Sequence, residues 1–455
     1  MDNECLIDRQ RSFFNNGKTR NISRRIESLS ILYNTIVKYR KEIGDALRTD
    51  LGKSEFESYI SETGFVLQEI RHTLKHLKKW AKPQKVKTPL ILFGSKSEIQ
   101  YIPYGVVLIL SPWNYPFQLS MTPLVGAIAA GNTVILKPSP DSPRTNIILK
   151  RIISECFSPD YVDCIEADKR ETDLLLKNRF DYIFYTGGPS FGKKVAEAAS
   201  ANLTPVTLEL GGKSPCIVDW DVDIEVAARR IVWGKFLNCG QTCVAPDYIW
   251  VHRNVKEKLI DCLISEIKRQ YGENPLSNSD YPHIVNIQRF YHLLLLLKQG
   301  KIEWGGNYVE DKLYIAPTIL SEISTQSRVM DEEIFGPILP VLEYNNINDC
   351  IEFIQNGEKP LALYVFTRNK KTADKVLSET SSGGACINDV ISHLVNTNLP
   401  FGGIGNSGMG SYHGIHSFRL FSHARGVVST STKINPGIKF APYAQKLKWL
   451  KMLMK

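Results

Sequence analysis

The strongest constraint on the fold is an alternation that sets in at Val106. VVLIL, residues 106–110, is short and wholly apolar, as a strand buried on both faces of a parallel sheet reads. It runs into the turn SPWNYP and then into a small, apolar stretch at 117–130, a buried helix candidate. TVILK, 133–137, is the next strand, stopped by Pro138. Residues 181–185 give another strand, followed by the turn TGGPSFG and a helix at 193–200, and 205–208 is a strand again. A second set follows, with strands at 214–218, 248–252, 316–320, 361–366 and 385–388 and helices at 256–271, 287–299, 347–355 and 371–379. Such alternation predicts doubly wound α/β architecture, and its recurrence predicts two such units. Gly211–Gly212 is the predicted hinge between them. Upstream, residues 22–40 and 61–80 carry apolar residues at helical spacing. Pro83 and Pro89 interrupt that pattern, and 90–102 reads as an extended ribbon.

With 455 residues, 43% hydrophobic and 23% charged, the chain has the composition of a globular protein with large cores. Its net charge of +9 is scattered, apart from 71–87 and the C-terminal tail. That balance suits an anionic cofactor, and no nucleic-acid recognition motif accompanies it. Nine cysteines at irregular spacing are not a disulfide framework. The opening MDNECLIDRQ has no apolar core of a signal peptide, and no apolar run reaches the ~18 residues of a membrane span. The expectation is a cytoplasmic enzyme with reduced thiols.

The sharpest chemistry lies in NCGQTCVAP, 238–246. Cys239 and Cys243 lack the second ligand pair that a zinc site needs, so no metal is expected. A nucleophilic thiol fits better, because Gly240 permits a turn whose backbone N–H groups can lower a thiol pKa and hold an oxyanion. Cys239 follows the apolar-periodic helix at 226–237 and reads as core filler. Spacing alone favours Cys243 and leaves Cys239 as the alternative. In LELGGKSP, Glu209 ends a strand, either as a general base or as a surface carboxylate before the hinge. In PWNYP, Asn114 is either a rigid amide donor or a turn asparagine. TGGPSFGKK joins a strand to a helix, as a pyrophosphate site or simply a tight turn.

Taken together, PWNYP, LELGGKSP, FLNCGQTCVAP, EEIFGP (332–337) and PFGGIGNSGMGSYHG (400–414) resemble the aldehyde dehydrogenase superfamily, in that family's order. GQTCVAPDY and SGMGSYHG resemble its class 3 branch, which acts on fatty and aromatic aldehydes. The resemblance spans residues 49–428. It implies Cys243 as catalytic thiolate, Asn114 as oxyanion donor and Glu209 as general base. It implies cofactor contacts from Lys137, Gly187, Gly188, Ser190, Gly192, Glu333 and Phe335. Tyr115, Thr242, Phe401 and His413 would border the aldehyde funnel. Residues 1–82 and 103–209 would form the dinucleotide-binding domain, 210–412 the catalytic domain, and 83–102 with 413–455 a β-ribbon oligomerisation arm of a homodimer. The implied reaction oxidises an aldehyde to an acid with NAD or NADP through a thiohemiacetal and a thioester, on medium-chain or aromatic aldehydes.

One departure bears on the cofactor. Family members commonly carry Glu shortly after the lysine of the KPS segment, bonding the adenosine ribose, and here KPSPDSP places Pro140 there. Losing that carboxylate removes repulsion against a 2′-phosphate, so NADP is expected beside NAD, unless Asp141 swings in to replace the lost acid. A coenzyme A-acylating reaction is the alternative chemistry, which a water-activating Glu209 disfavours. A non-catalytic protein on the same scaffold is the remaining alternative. The tail QKLKWLKMLMK reads as a terminal helix packed on the dimer partner, with weak association to an anionic membrane surface as the other reading.

Overall fold

The computed structural model describes residues 3–434 and 437–453. Val106–Leu110 lies in the middle of a six-stranded sheet, with every residue buried. The order across the sheet is Gly408–Met409, Val206–Leu210, Tyr182–Gly187, Val106–Leu110, Thr133–Lys137 and Val162–Cys164. All neighbours are parallel except the short edge strand Gly408–Met409, which pairs antiparallel with Gly408 opposite Glu209. The helix Gln118–Ala130 is buried along its whole length, as its mostly small and apolar sequence favours.

A seven-stranded sheet forms the second unit, in the order Lys301–Trp304, Thr318–Ser321, Ile338–Tyr344, Tyr248–His252, Pro215–Val218, Ala362–Phe366 and Gly384–Ile387. Only its edge strand Lys301–Trp304 runs antiparallel. Strand Ser422–Thr430 pairs with Ser95–Pro103 from Ser422 opposite Pro103 to Thr430 opposite Ser95, and Gln84–Val86 completes a three-stranded antiparallel arm. Two Rossmann-like α/β units and a β arm are therefore the architecture, as the sequence pattern predicts.

The structure differs from expectation in several places. The ribbon begins at Ser95, because Leu90–Leu92 curls into one 3₁₀ turn after Pro89. Strand Ile338–Tyr344 and the first helix, Asn3–Asn15, are unanticipated elements. That helix is tied to the first sheet by Gln10 Nε2, which donates to the Val134 and Pro159 carbonyls at 3.0 and 2.9 Å. The stretch read as one helix at 61–80 is a π turn, Tyr59–Thr63, followed by the α-helix Gly64–Trp80.

Parallel strands leave their C-terminal ends on one edge, where α/β proteins bind ligands. Here that edge carries Asn114 after Val106–Leu110, Lys137 closing Thr133–Lys137, Gly187 closing Tyr182–Gly187 and Glu209 within Val206–Leu210.

Candidate active site

Helix Ile224–Phe236 starts at Asp223, whose carboxylate accepts from the Val226 N–H. It ends where Asn238, Cys239 and Gly240 all take positive φ, 52°, 55° and 73°. At Gly240 a Cβ would lie 2.2 Å from the Gly336 carbonyl oxygen, so only glycine fits. The left-handed turn sends Cys239 inward. It is fully buried, its thiol donates to the Tyr281 hydroxyl at 3.4 Å, and burial pushes its pKa up to about 12.

Cys243 lies further along, in a loop closed by Gln241 N–H to Asn238 carbonyl and Ala245 N–H to Thr242 carbonyl, both 3.0 Å. Burial, then the carboxylates of Glu333 and Glu209, push its thiol pKa up, and the backbone N–H groups of Cys243 and Val244 pull it back. A positive charge beside the thiol would favour the thiolate.

Asn114 is buried, and its Nδ2 donates to the Gln241 carbonyl at 3.0 Å. That bond uses one N–H, and the amide also lines a cavity with Cys243. Glu209 is 3% exposed, and neither carboxylate oxygen has a hydrogen-bond partner among the described residues. Burial alone raises its pKa well above the carboxylate range. A buried, unpartnered carboxyl is poised to take a proton from a water that enters beside it.

Two cavities meet at Cys243. One, of about 270 Å³, is lined by Trp113, Asn114, Gly187, Glu209, Glu333 and Phe335. It continues past Pro112, Gly187 and Gly188 into a second chamber of about 270 Å³ bounded by Lys137, Pro140, Lys169 and Phe191. The other is an apolar funnel of about 490 Å³ with Tyr115, Trp233, Thr242, Phe401 and Tyr412 in its wall. Cys243 and Leu119 are the residues that funnel and groove share.

The groove fits an anionic dinucleotide. Lys137 and Lys169 supply positive charge at one end, and the helix Pro189–Ser200 begins at Gly188 with no side-chain cap on its N–H groups. Glu333, its pKa raised to about 8 by burial and by Asp247, packs against Gly211, where a Cβ would lie 1.9 Å from its Oε2. Phe335, held at φ 48°, meets Trp113 edge-on at 5.5 Å.

Three of the expected contacts fall elsewhere. Gly192 is turned into the helix–sheet interface, where a Cβ would lie 2.7 Å from Leu210. Its smallness serves packing, and it lines neither chamber of the groove. Ser190 is exposed on the first turn of its helix, outside both chambers. His413 lies behind the funnel wall, stacked on Phe401 at 5.3 Å, fully buried, with its pKa pushed down to about 3 by burial. Residues that the sequence reading missed include Trp113, which stands inside the quoted PWNYP, and Lys169, which opens a distant helix and carries no local signal.

The aldehyde dehydrogenase family model matches residues 4–427. The chain belongs to the aldehyde dehydrogenase family. It is 48% identical over 98% of its length to a 4,4'-diaponeurosporen-aldehyde dehydrogenase of Staphylococcus aureus, covering 97% of that protein. It is 45% identical over 99% of its length to mouse aldehyde dehydrogenase family 3 member A2, covering 94% of it. A substrate-bound structure of Staphylococcus aureus AldH superposes with a TM-score of 0.98 at 47% identity, over 99% of each chain. The NAD+ complex of a Bacillus cereus aldehyde dehydrogenase superposes at 0.85 with 25% identity, over 94% of this chain and 89% of that one. As a member of this family the chain is an NAD(P)-dependent aldehyde dehydrogenase, converting aldehydes to carboxylic acids.

Proposed function

We propose that Cys243 is the nucleophile, Asn114 the oxyanion donor and Glu209 the base of this oxidation. The observation that carries the reading is the position of Cys243, in the wall of both groove and funnel. The thiolate adds to the aldehyde carbonyl, and the developing oxyanion is held by the free N–H of Asn114 and the Cys243 backbone N–H. A nicotinamide cofactor, which Glu333 and Phe335 of the groove would hold, would supply the acceptor for the hydride that the adduct loses. A thioester then remains on Cys243, and Glu209 takes the proton of the water that hydrolyses it. Covalent catalysis divides one hard step into two easier ones.

The funnel's aromatic and aliphatic wall suits an apolar aldehyde, fatty or aromatic. An NAD(P)H-release screen across aliphatic chain lengths and benzaldehydes tests this. kcat/KM should rise with apolar surface; a maximum at a short hydroxylated aldehyde would contradict it.

The chamber around Lys137 also supports use of NADP beside NAD. Pro140 contributes no charge there, Lys169 contributes a positive one, and Asp141 is engaged by Ser139 and Asn286 at 3.2 and 3.3 Å. A canine relative, 46% identical over 92% of this chain, is named dimeric and NADP-preferring. On the same reading the six-stranded sheet is the dinucleotide-binding unit and the seven-stranded sheet the catalytic unit. The arm and the tail helix Leu447–Leu453, which leave Phe93, Val428 and Trp449 exposed, pack on a second copy. Binding of that tail to an anionic membrane surface is the competing reading. Buried, unpaired thiols such as Cys164, Cys216 and Cys350 suit a reducing cytoplasm.

A further inference from the structure

Beneath the turn that carries Asn114 lies a buried ion pair that the mechanism above does not use. Lys53 and Glu62 both have fully buried side chains, with Lys53 Nζ 2.5 Å from Glu62 Oε1. Nζ also donates to the Asn114 carbonyl at 2.8 Å and sits 3.9 Å from the centre of the Tyr115 ring. An ammonium has three N–H donors, and here one meets a carboxylate, one the Asn114 carbonyl, and the third faces the ring. The second oxygen of Glu62 accepts the backbone N–H groups of Phe117 and Gln118 at 3.0 and 2.8 Å. One ion pair thus grips the PWNYP turn at its middle residue, Asn114, and the chain just beyond it at Phe117 and Gln118. Glu62 reaches it from the π turn Tyr59–Thr63, the irregularity that interrupts this helical stretch.

The grip continues into the Cys243 loop. The Asn114 carbonyl also accepts from Asn238 Nδ2 at 2.8 Å, and Asn238 Nδ2 lies 3.1 Å from the Gln241 carbonyl, which receives Asn114 Nδ2 as well. Asn238 is held in its left-handed conformation with its N–H on Glu57 Oε1 at 2.9 Å. A buried ion pair is a poor source of stability, because desolvation offsets most of the attraction. What this pair does provide is a fixed backbone under an amide whose one remaining N–H must meet an oxyanion.

We infer that Lys53, paired with Glu62, is a positioning residue that acts through Asn114. It sets the register between the amide donor and the Cys243 loop. The inference rests on Asn114 being the oxyanion donor, and the experiment separates the two claims.

Lys53→Met, Asn114→Ala and their combination are compared by the pre-steady-state rate of acyl-enzyme formation at saturating aldehyde and cofactor. Lys53→Met should slow it by roughly 10- to 100-fold, short of the 10²–10³ that losing an oxyanion donor costs. The combined variant should be no slower than Asn114→Ala alone, to within about twofold. Alkylation of Cys243 by iodoacetamide, read by mass on its peptide, forms no oxyanion and should keep the wild-type rate in all variants. Losses that multiply in the double variant, or alkylation slowing in step with acylation, would overturn the inference. Asn114→Ala at full rate would instead overturn the assignment of Asn114. Should Lys53→Met fail to fold, Lys53→Met with Glu62→Gln removes both charges and is read by the same criteria.

Discussion

Cys239 and Cys243 share one loop and face opposite ways: the Cys239 thiol donates to the Tyr281 hydroxyl at 3.4 Å inside the core, while Cys243 stands in the wall common to groove and funnel. Cys239 sits inside a run of three left-handed residues, Asn238 to Gly240, and Cys243 lies beyond it. Cys243→Ala should therefore abolish turnover and leave NAD(P) binding intact by fluorescence titration. Cys239→Ala should retain turnover and lose about 1 kcal/mol of stability in urea melts, the worth of one buried hydrogen bond.

Glu209 governs the second half of the reaction and its pH dependence. Burial raises its pKa well above the carboxylate range, so the deacylation rate should climb with pH in a region where ordinary carboxylates are already ionised. Glu209→Gln should keep the first burst of reduced cofactor, lose steady-state turnover and lose that ascending limb. The linkage has a definite sign. A carboxyl whose pKa is raised on folding binds more protons in the native state, so its contribution to stability is full below the unfolded pKa and is lost as pH rises through the folded one. Glu209→Gln should thus be more stable than wild type under alkaline conditions, and the gap should close as pH falls towards 4, the ordinary carboxylate range.

The adenosine end of the groove makes a charge prediction. Pro140→Glu sets a carboxylate beside Lys137 and Lys169 in the chamber where a 2′-phosphate would lie. kcat/KM for NADP should fall by about tenfold or more relative to NAD, roughly 1.4 kcal/mol. Parallel steady-state assays with the two cofactors check it.

Gly211 tests the other end. A Cβ there would lie 1.9 Å from Glu333 Oε2, so Gly211→Ala must push the carboxylate aside. Cofactor KM should rise by about tenfold, with aldehyde KM unchanged, in initial-rate measurements that vary each substrate in turn.

Much of this was legible in the chain. Short, wholly apolar runs such as VVLIL marked strands buried on both faces, and the turns after them marked the edge where Asn114, Lys137, Gly187 and Glu209 gather. Ile338–Tyr344 escaped because Pro340 sits inside it, and proline argues against an interior strand. The first helix escaped because what anchors it, Gln10 on the Val134 carbonyl, is 124 residues away. Spacing could not say that Gly192 faces Leu210 rather than the groove, nor that His413 stands one layer behind Phe401. Both facts depend on side-chain packing between segments. The Lys53–Glu62 pair is of the same kind: nothing in the sequence joins a lysine and a glutamate nine residues apart to the PWNYP turn that folds over them.

The most direct test of the account is to trap the acyl-enzyme. Glu209→Gln mixed with NAD and an apolar aldehyde should accumulate the thioester, and peptide mass spectrometry should find the acyl group on Cys243. An adduct on Cys239, or reduced cofactor formed with no acyl group on Cys243, would contradict it.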